Sequence, residues 1–468
     1  MNILRLPVLS ALLFFSSILF SQTAEKWTLE KCIDYAMQNN IQVKQTAVTS
    51  QIYSNDNLQS KLNFLPSLEG NLNFNSNYGN SINPQTYTFT SGNSQSASTS
   101  LQGSLPVFTG LQQIFNVERT KYELLASKFD YENAKRNIAL SVASAYLQLL
   151  LNKEILKVAE KQKQLTATQR STIQSKINSG LLPETSAFEV DAQLARDEVN
   201  VVNAKSSIDL GLLQLRQLLQ IADEKFDVET PEVKFESVED VAALSSLSIY
   251  EYALSNQPSI MSADARVKSA NASRKISIGA LSPTIAVFGN ISSGYSSQDR
   301  KIIGTETKID SSLGVPIPYQ SPIYGNKPFN EQLKDNFRKV IGVSMNVPLF
   351  SKWQRVTNIQ NAKLQMQIRE LQLEGTKNQL RSDIEQAYTN AKAAVQSYLA
   401  NKKSVESADK SFGAMEKRFN AGMLGSYEFQ QAKNSMAVAE SEMIKSKYTY
   451  VFRQKVLDFY QGKPLKLE

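Results

Sequence analysis

Histidine is absent from all 468 residues and cysteine occurs once. Without imidazole there is no histidine general base, no histidine metal ligand and no serine-histidine-carboxylate arrangement, and a single thiol leaves no intrachain disulfide. Neither enzymatic chemistry nor a cofactor is expected: Asp/Glu pairs would be the remaining acid-base machinery of a hydrolase, and no Gly-rich elbow or carboxylate cluster stands out. No nucleotide-binding loop of the P-loop type is present either. Past the N-terminal segment, no window approaches the ~18 consecutive apolar residues of a spanning helix, so the mature chain is soluble or crosses a membrane as strands. Clustered positive charge is also missing. Lys+Arg of 51 against Asp+Glu of 44 gives +7, spread along the chain, and no nucleic-acid partner is implied.

What is present starts with an export signal. In residues 1–21, Arg5 supplies the positive start, an apolar run from Val8 to Phe20 is interrupted only by small residues, and Ser21 offers a small residue at the cut. No cysteine sits at that cut, so no lipid-anchored N-terminus is expected, and Cys32 reads as a packed small residue in a helical pattern.

The mature chain is duplicated. Tyr35-Ala36-Met37-Gln38-Asn39 aligns with Tyr252-Ala253-Leu254-Ser255-Asn256, and Pro66-Ser67-Leu68 aligns at the same spacing with Pro283-Thr284-Ile285. After an insertion in the second copy the match resumes, with Leu105-Pro106-Val107-Phe108 on Val347-Pro348-Leu349-Phe350 and Asn178-Ser179-Gly180 on Asn420-Ala421-Gly422. The organisation read from this is a first repeat over 22–220, an acidic connector over 221–247, a second repeat over 248–462 and a tail over 463–468. The insertion falls in 296–336, whose Gly, Pro and polar residues read as a long exposed loop, the counterpart of 79–98.

Each repeat has the order helix, strand, loop, strand, two long helices. Strands are expected at about 66–78 and 99–108, and at about 283–295 and 340–350. In the first, Leu68, Leu72, Phe74 and Tyr78 alternate with Glu69, Asn71, Asn73, Asn75 and Asn77, so one face is apolar and the other lined by amides. Four such strands of roughly ten residues have the length a tilted strand needs to cross hydrocarbon, although an ordinary half-buried sheet shows the same alternation. The helices argue against a compact globule. From Leu111 to Asn178 there is neither Pro nor Gly, which at ~1.5 Å per residue makes a rod of ~100 Å. Ile138, Val142, Ala145, Leu149, Asn152, Leu156 and Ala159 keep coiled-coil spacing along it, as do Leu380, Ile384, Ala387, Ala391 and Ala394 in the second copy. Each hairpin turns at a glycine, at 178–183 and 420–425. Leu181, Leu182, Met423 and Leu424 there read either as local turn packing or as apolar tips that dock a partner.

Four strands cannot close a barrel, and open edges in lipid would leave backbone groups unpaired, so closure needs further copies of the chain. The signal, the two tandem copies, strands that end in Leu105-Pro106-Val107-Phe108 and Val347-Pro348-Leu349-Phe350, and tips reading Lys176-Ile177-Asn178-Ser179-Gly180-Leu181 and Arg418-Phe419-Asn420-Ala421-Gly422-Met423 together resemble the TolC-like outer-membrane efflux proteins. The resemblance implies a mainly α chain with a transmembrane β part, a homotrimer with a twelve-stranded barrel in outer-membrane lipid and a helical tunnel in the periplasm of a Gram-negative bacterium. It implies a passive conduit, opened by sliding of the hairpins, for a periplasmic adaptor and an inner-membrane pump or ABC exporter. The adaptor contacts it implies fall on Arg418, Phe419 and Gly422 at the second tip and, by the internal repeat, on Lys176, Ile177 and Gly180 at the first; the apolar Leu181, Leu182, Met423 and Leu424, with Pro183, complete the candidate docking tips. The entrance constriction falls on Glu428 and Gln431, of which only Glu428 is acidic. A periplasmic coiled-coil adaptor or a surface adhesin is the alternative; it accounts for the rods but not for the four alternating strands.

Overall fold

The computed structural model describes residues 26–82, 89–231, 245–310, 312 and 314–467. The expected export signal lies outside these residues, as do positions 232–244 of the connector. The duplication is visible element by element. Helices α1 (Leu29–Asn39) and α5 (Ser246–Asn256) both have 11 residues, and α2 (Ile41–Leu62) and α6 (Pro258–Gly279) both have 22. The long α3 (Gln112–Asn178) and α8 (Gln354–Asn420) both have 67, and α4 (Thr185–Leu219) and α9 (Ser426–Tyr460) both have 35. The two copies start their second helix by different means. Asn40 accepts from Gln42 N through its side chain at 2.9 Å in the first, whereas Pro258 opens the helix in the second, where its missing N–H costs nothing. Among the described residues no helix is long and apolar enough to cross a membrane.

The chain forms two compact units that do not coincide with the repeats, because each unit takes segments from both. One comprises Thr46–Tyr131 and Pro258–Asn378 and carries, among the described residues, all eight strands; the other comprises Met1–Gln45, Glu132–Gln257 and Gln379–Glu468.

In the strand-bearing unit β1 (Ser67–Asn77), β4 (Ser94–Phe108), β5 (Thr284–Ser296) and β8 (Arg338–Asn346) form one antiparallel sheet in the order β1-β4-β5-β8. Two of these differ from the sequence expectation. β4 begins at Ser94, inside the segment read as a loop, because its serines and threonines pair all the way to Asn77, and β8 ends at Asn346, before Pro348, which has no N–H for a ladder. Short strands β2 (Asn80–Ile82) and β3 (Phe89–Ser91) close the first pair. The 296–336 insertion is not a loop. It holds a hairpin of β6 (Arg300–Asp310) and β7 (Ile317–Asn326), and helix α7 (Phe329–Asp335). β-branched and aromatic residues such as Ile302, Ile309 and Tyr319 outweigh the Gly and Pro that suggested irregular chain. Lys327 ties the hairpin base down through Asp335 at 2.6 Å and Asp299 at 3.7 Å, while α7 reaches β5 through Ser293 Oγ, which donates to Leu333 O at 2.7 Å.

Where strand gives way to helix, the two copies cross at a pair of glycines. A Cβ on Gly110, whose φ is +63°, would lie 2.2 Å from Gly279 O, and one on Gly279 would lie 2.3 Å from Gly110 O. Only backbone fits there.

The other unit is built from the rest of α3 and α8 with α1, α4, α5 and α9. Tyr146 is completely buried, and its hydroxyl donates to Glu229 O at 2.8 Å and Trp27 O at 3.2 Å. Connector residues are thereby fixed to the segment that leads into α1, with Trp27 edge-on to Phe226 and Lys153 paired to Asp227 at 2.6 Å. Cys32 is fully buried, and burial pushes its thiol up to about 12, so it is unreactive.

Candidate functional site

The hairpin tips are two copies of one turn. Gly180 and Gly422 have φ of +77° and +74°. In the first, Leu181 N donates to Lys176 O at 2.8 Å and Gly180 N to Ile177 O at 2.9 Å; in the second, Met423 N donates to Arg418 O at 2.9 Å and Gly422 N to Phe419 O at 3.0 Å. These paired bonds satisfy the last carbonyls of each long helix and require the left-handed glycine.

The turn sorts the sequence-predicted residues into two classes. Leu181 and Met423, the equivalent residues just past the glycines, are both 73% exposed. Pro183 and Arg418 are exposed as well. Phe419 is buried, stacked on Phe429 with ring centroids 4.5 Å apart. With Ile173 and Val190 these rings form a cluster against which Ile177, Leu182 and Leu424 pack. Lys176 lies over the Phe419 ring at 5.2 Å, a contact that joins the first tip to the second. Ile177, Leu182, Leu424 and Phe419 thus bind the two tips together, and Leu181 and Met423 present apolar surface outward.

Glu428 sits in the first turn of α9, where the partial positive charge of the helix start favours a carboxylate. Its Oε2 lies 2.6 Å from where a Cβ of Gly425 would be, so glycine there leaves room for the acid. Glu428 and Gln431 are both exposed. Gln431 lines a cavity of about 890 Å³ with Tyr427, Gln430, Glu189 and Arg196.

A cluster that sequence reasoning missed lies further along the same helices. Lys433, Asp197 and Thr166 are all buried, and Lys433 Nζ is 3.8 Å from Asp197 Oδ2. Burial pulls the Lys433 ammonium down to about 8, opposed by the Asp197 charge. The repeat carries no signal for it: continuing the match of Asn178-Ser179-Gly180 with Asn420-Ala421-Gly422 sets Lys433 opposite Asp191, a residue of opposite charge.

The sheet supplies the second functional surface. Register places Leu72, Phe74, Leu101, Val287, Ile291, Ile341 and Val343 on one face, and Asn71, Asn73, Ser98, Gln102, Asn290 and Ser292 on the other. The apolar face is bare: Leu72 is 79% and Ile341 88% exposed. On the polar face the Phe288 ring covers Gly342, whose Cβ would come within 2.6 Å of it. Among the described residues β1 and β8 each have a single partner strand in the sheet, which leaves both edges open.

The sequence matches the family model described as outer membrane efflux protein over residues 32–219 and again over 249–462. It is 23% identical over 393 residues to the outer membrane protein TolC of Escherichia coli, covering 79% of this chain and 71% of that protein. It is 19% identical over 444 residues to the outer membrane efflux protein BepC of Brucella suis, covering 95% of this chain and 87% of that protein. The fold matches that of the outer membrane protein VceC from Vibrio cholerae with a TM-score of 0.73 at 15% identity, covering 93% of this chain and 96% of that one.

Proposed function

The chain belongs to the outer membrane efflux protein family, and from that premise we propose that three copies close into one lipid-embedded barrel that conducts cargo handed over by a periplasmic adaptor and an inner-membrane pump or exporter. It is an outer-membrane channel of efflux or secretion. The observation that carries the trimer is the open-edged sheet, with a bare apolar face, a polar opposite face and an unpaired strand at each side. In lipid each unpaired backbone group costs several kcal/mol, so the edges must find partners, and identical copies provide them. Two such sheets would make a ring whose interior side chains fill it; three leave room for a wet lumen lined by the amide face.

In this reading adaptor docking centres on Leu181 and Met423, with Arg418, Lys176 and Pro183 around them. Ile177, Leu182, Phe419 and Leu424 hold the tips in shape, and Gly180 and Gly422 make the turns. Glu428 and Gln431 face the entrance, where three Glu428 carboxylates around a three-fold axis would attract cations and repel anionic cargo while the opening is narrow. Opening is a sliding of one hairpin along the other, driven by the partner pump.

Planar-bilayer recording tests the entrance. Glu428→Gln is expected to lower cation preference and divalent block at unchanged trimer yield; unchanged selectivity and block would remove Glu428 from the constriction.

A further inference from the structure

Thr166 on α3, Gln193 and Asp197 on α4 and Lys433 on α9 meet inside the helical unit, all buried. Lys433 Nζ donates to Thr166 Oγ1, and the Thr166 hydroxyl donates on to Asp197 Oδ2. Gln193 Nε2 gives Asp197 Oδ1 a further bond at 2.8 Å. Arg196, at the surface, holds Gln193 Oε1 through two N–H groups at 3.0 and 2.8 Å. Lys433 is the one lysine or arginine that is buried among the described residues.

A charged pair withdrawn from water contributes little net stability compared with apolar side chains of similar volume, but it strongly disfavours any packing that separates the two charges. In coiled helices such a polar contact fixes register. The surrounding seam makes a register device useful. Gln169 is buried with neither amide atom partnered, and Gln162 Nε2 is likewise unpartnered, so this stretch of α3 packs less favourably than the tip-ward turns closed by Ile173, Val190, Phe419 and Phe429. A one-turn slip of α9 along α3 and α4 would move Lys433 by ~5.4 Å and leave ammonium and carboxylate buried apart. The cluster opposes axial slip along the stretch where the rest of the packing opposes it least.

We propose that Lys433, Thr166 and Asp197 form a clasp that fixes the axial register of α9 against the first hairpin, and that it must part before one hairpin slides along the other. The second clause rests on the channel reading above; the first does not.

The test is a cross-link across the same seam in the full-length protein in membranes. Lys161 on α3 and Glu440 on α9 are ion-paired at 3.0 Å, so Lys161→Cys with Glu440→Cys reports their alignment, and the native Cys32 is buried and stays silent. At neutral pH a short bis-thiosulfonate reagent is expected to bridge the pair readily in the parent. The bridging rate should fall roughly fivefold or more on adding Lys433→Gln or Asp197→Asn, and recover on exchanging the two charges by Lys433→Asp with Asp197→Lys. Lys433→Gln keeps a polar side chain able to bond Thr166, and trimer mobility and circular dichroism verify that the helices stay folded. Unchanged bridging in both single variants overturns the clasp, and loss without recovery on charge exchange overturns its ionic basis. Single-channel recording on the same proteins separates the two readings. Longer open times for Lys433→Gln support the gating clause and unchanged open times overturn it; a parent that passes no current refutes the channel reading while bridging still decides the clasp.

Discussion

At the scale of single residues, placement beside the second tip divides like-looking side chains by what their neighbours do. Glu428 and Lys433 are separated by little more than one helical turn, yet Glu428 is exposed and Lys433 is 1% exposed. Burial, opposed by the Asp197 charge, lowers the Lys433 ammonium to about 8, below the ~10.4 of an unfolded lysine. The sign of the linkage follows. Between about pH 8 and 10 the unfolded chain holds a proton that the folded chain has released, so this site adds stability as pH rises through that window and adds nothing further below it. The thermal midpoint of the detergent-solubilised protein minus that of Lys433→Met is therefore expected to grow from pH 8 to pH 10. A difference that shrinks over that range would contradict the burial assigned to Lys433. Little of this was legible in the sequence. Only the approach of three helices reveals that Thr166 and Asp197 meet Lys433.

At the scale of elements, the long helices were readable because α3 contains no Gly or Pro to interrupt it, and the tips because glycine is needed at φ near +75° in both. Alternation located the sheet strands, while their ends depended on partners: Ser94 joins β4 only because Asn77 lies opposite. The β6–β7 hairpin was hidden by Gly304, Pro318 and Pro322, residues a two-stranded ribbon tolerates and a central strand would not. At the tips the sequence offered four similar apolar residues, and tertiary packing separates Leu182 and Leu424, held against Phe429 and its neighbours, from Leu181 and Met423, left outside. The two groups are expected to fail differently. Leu181→Asp with Met423→Asp should abolish export in cells at unchanged trimer level, whereas Phe419→Ala should cost about 3–5 kcal/mol of helical-unit stability by opening a cavity. Full export by the double aspartate variant would exclude the two exposed residues from docking.

At the scale of the whole molecule, the duplicated chain distributes itself so that neither repeat coincides with a compact unit. The strand-bearing unit draws β1 and β4 from one copy and β5 and β8 from the other, with Gly110 and Gly279 in backbone contact at their crossing. This arrangement gives one four-stranded sheet per chain and two open edges. The number of copies that closes it decides whether a lumen exists. Native mass spectrometry of the detergent-extracted, uncross-linked protein measures that number. Three chains per particle is the expected result, and a particle of one or two chains, with sheets too few to enclose a passage, would contradict the barrel and the transport role built on it.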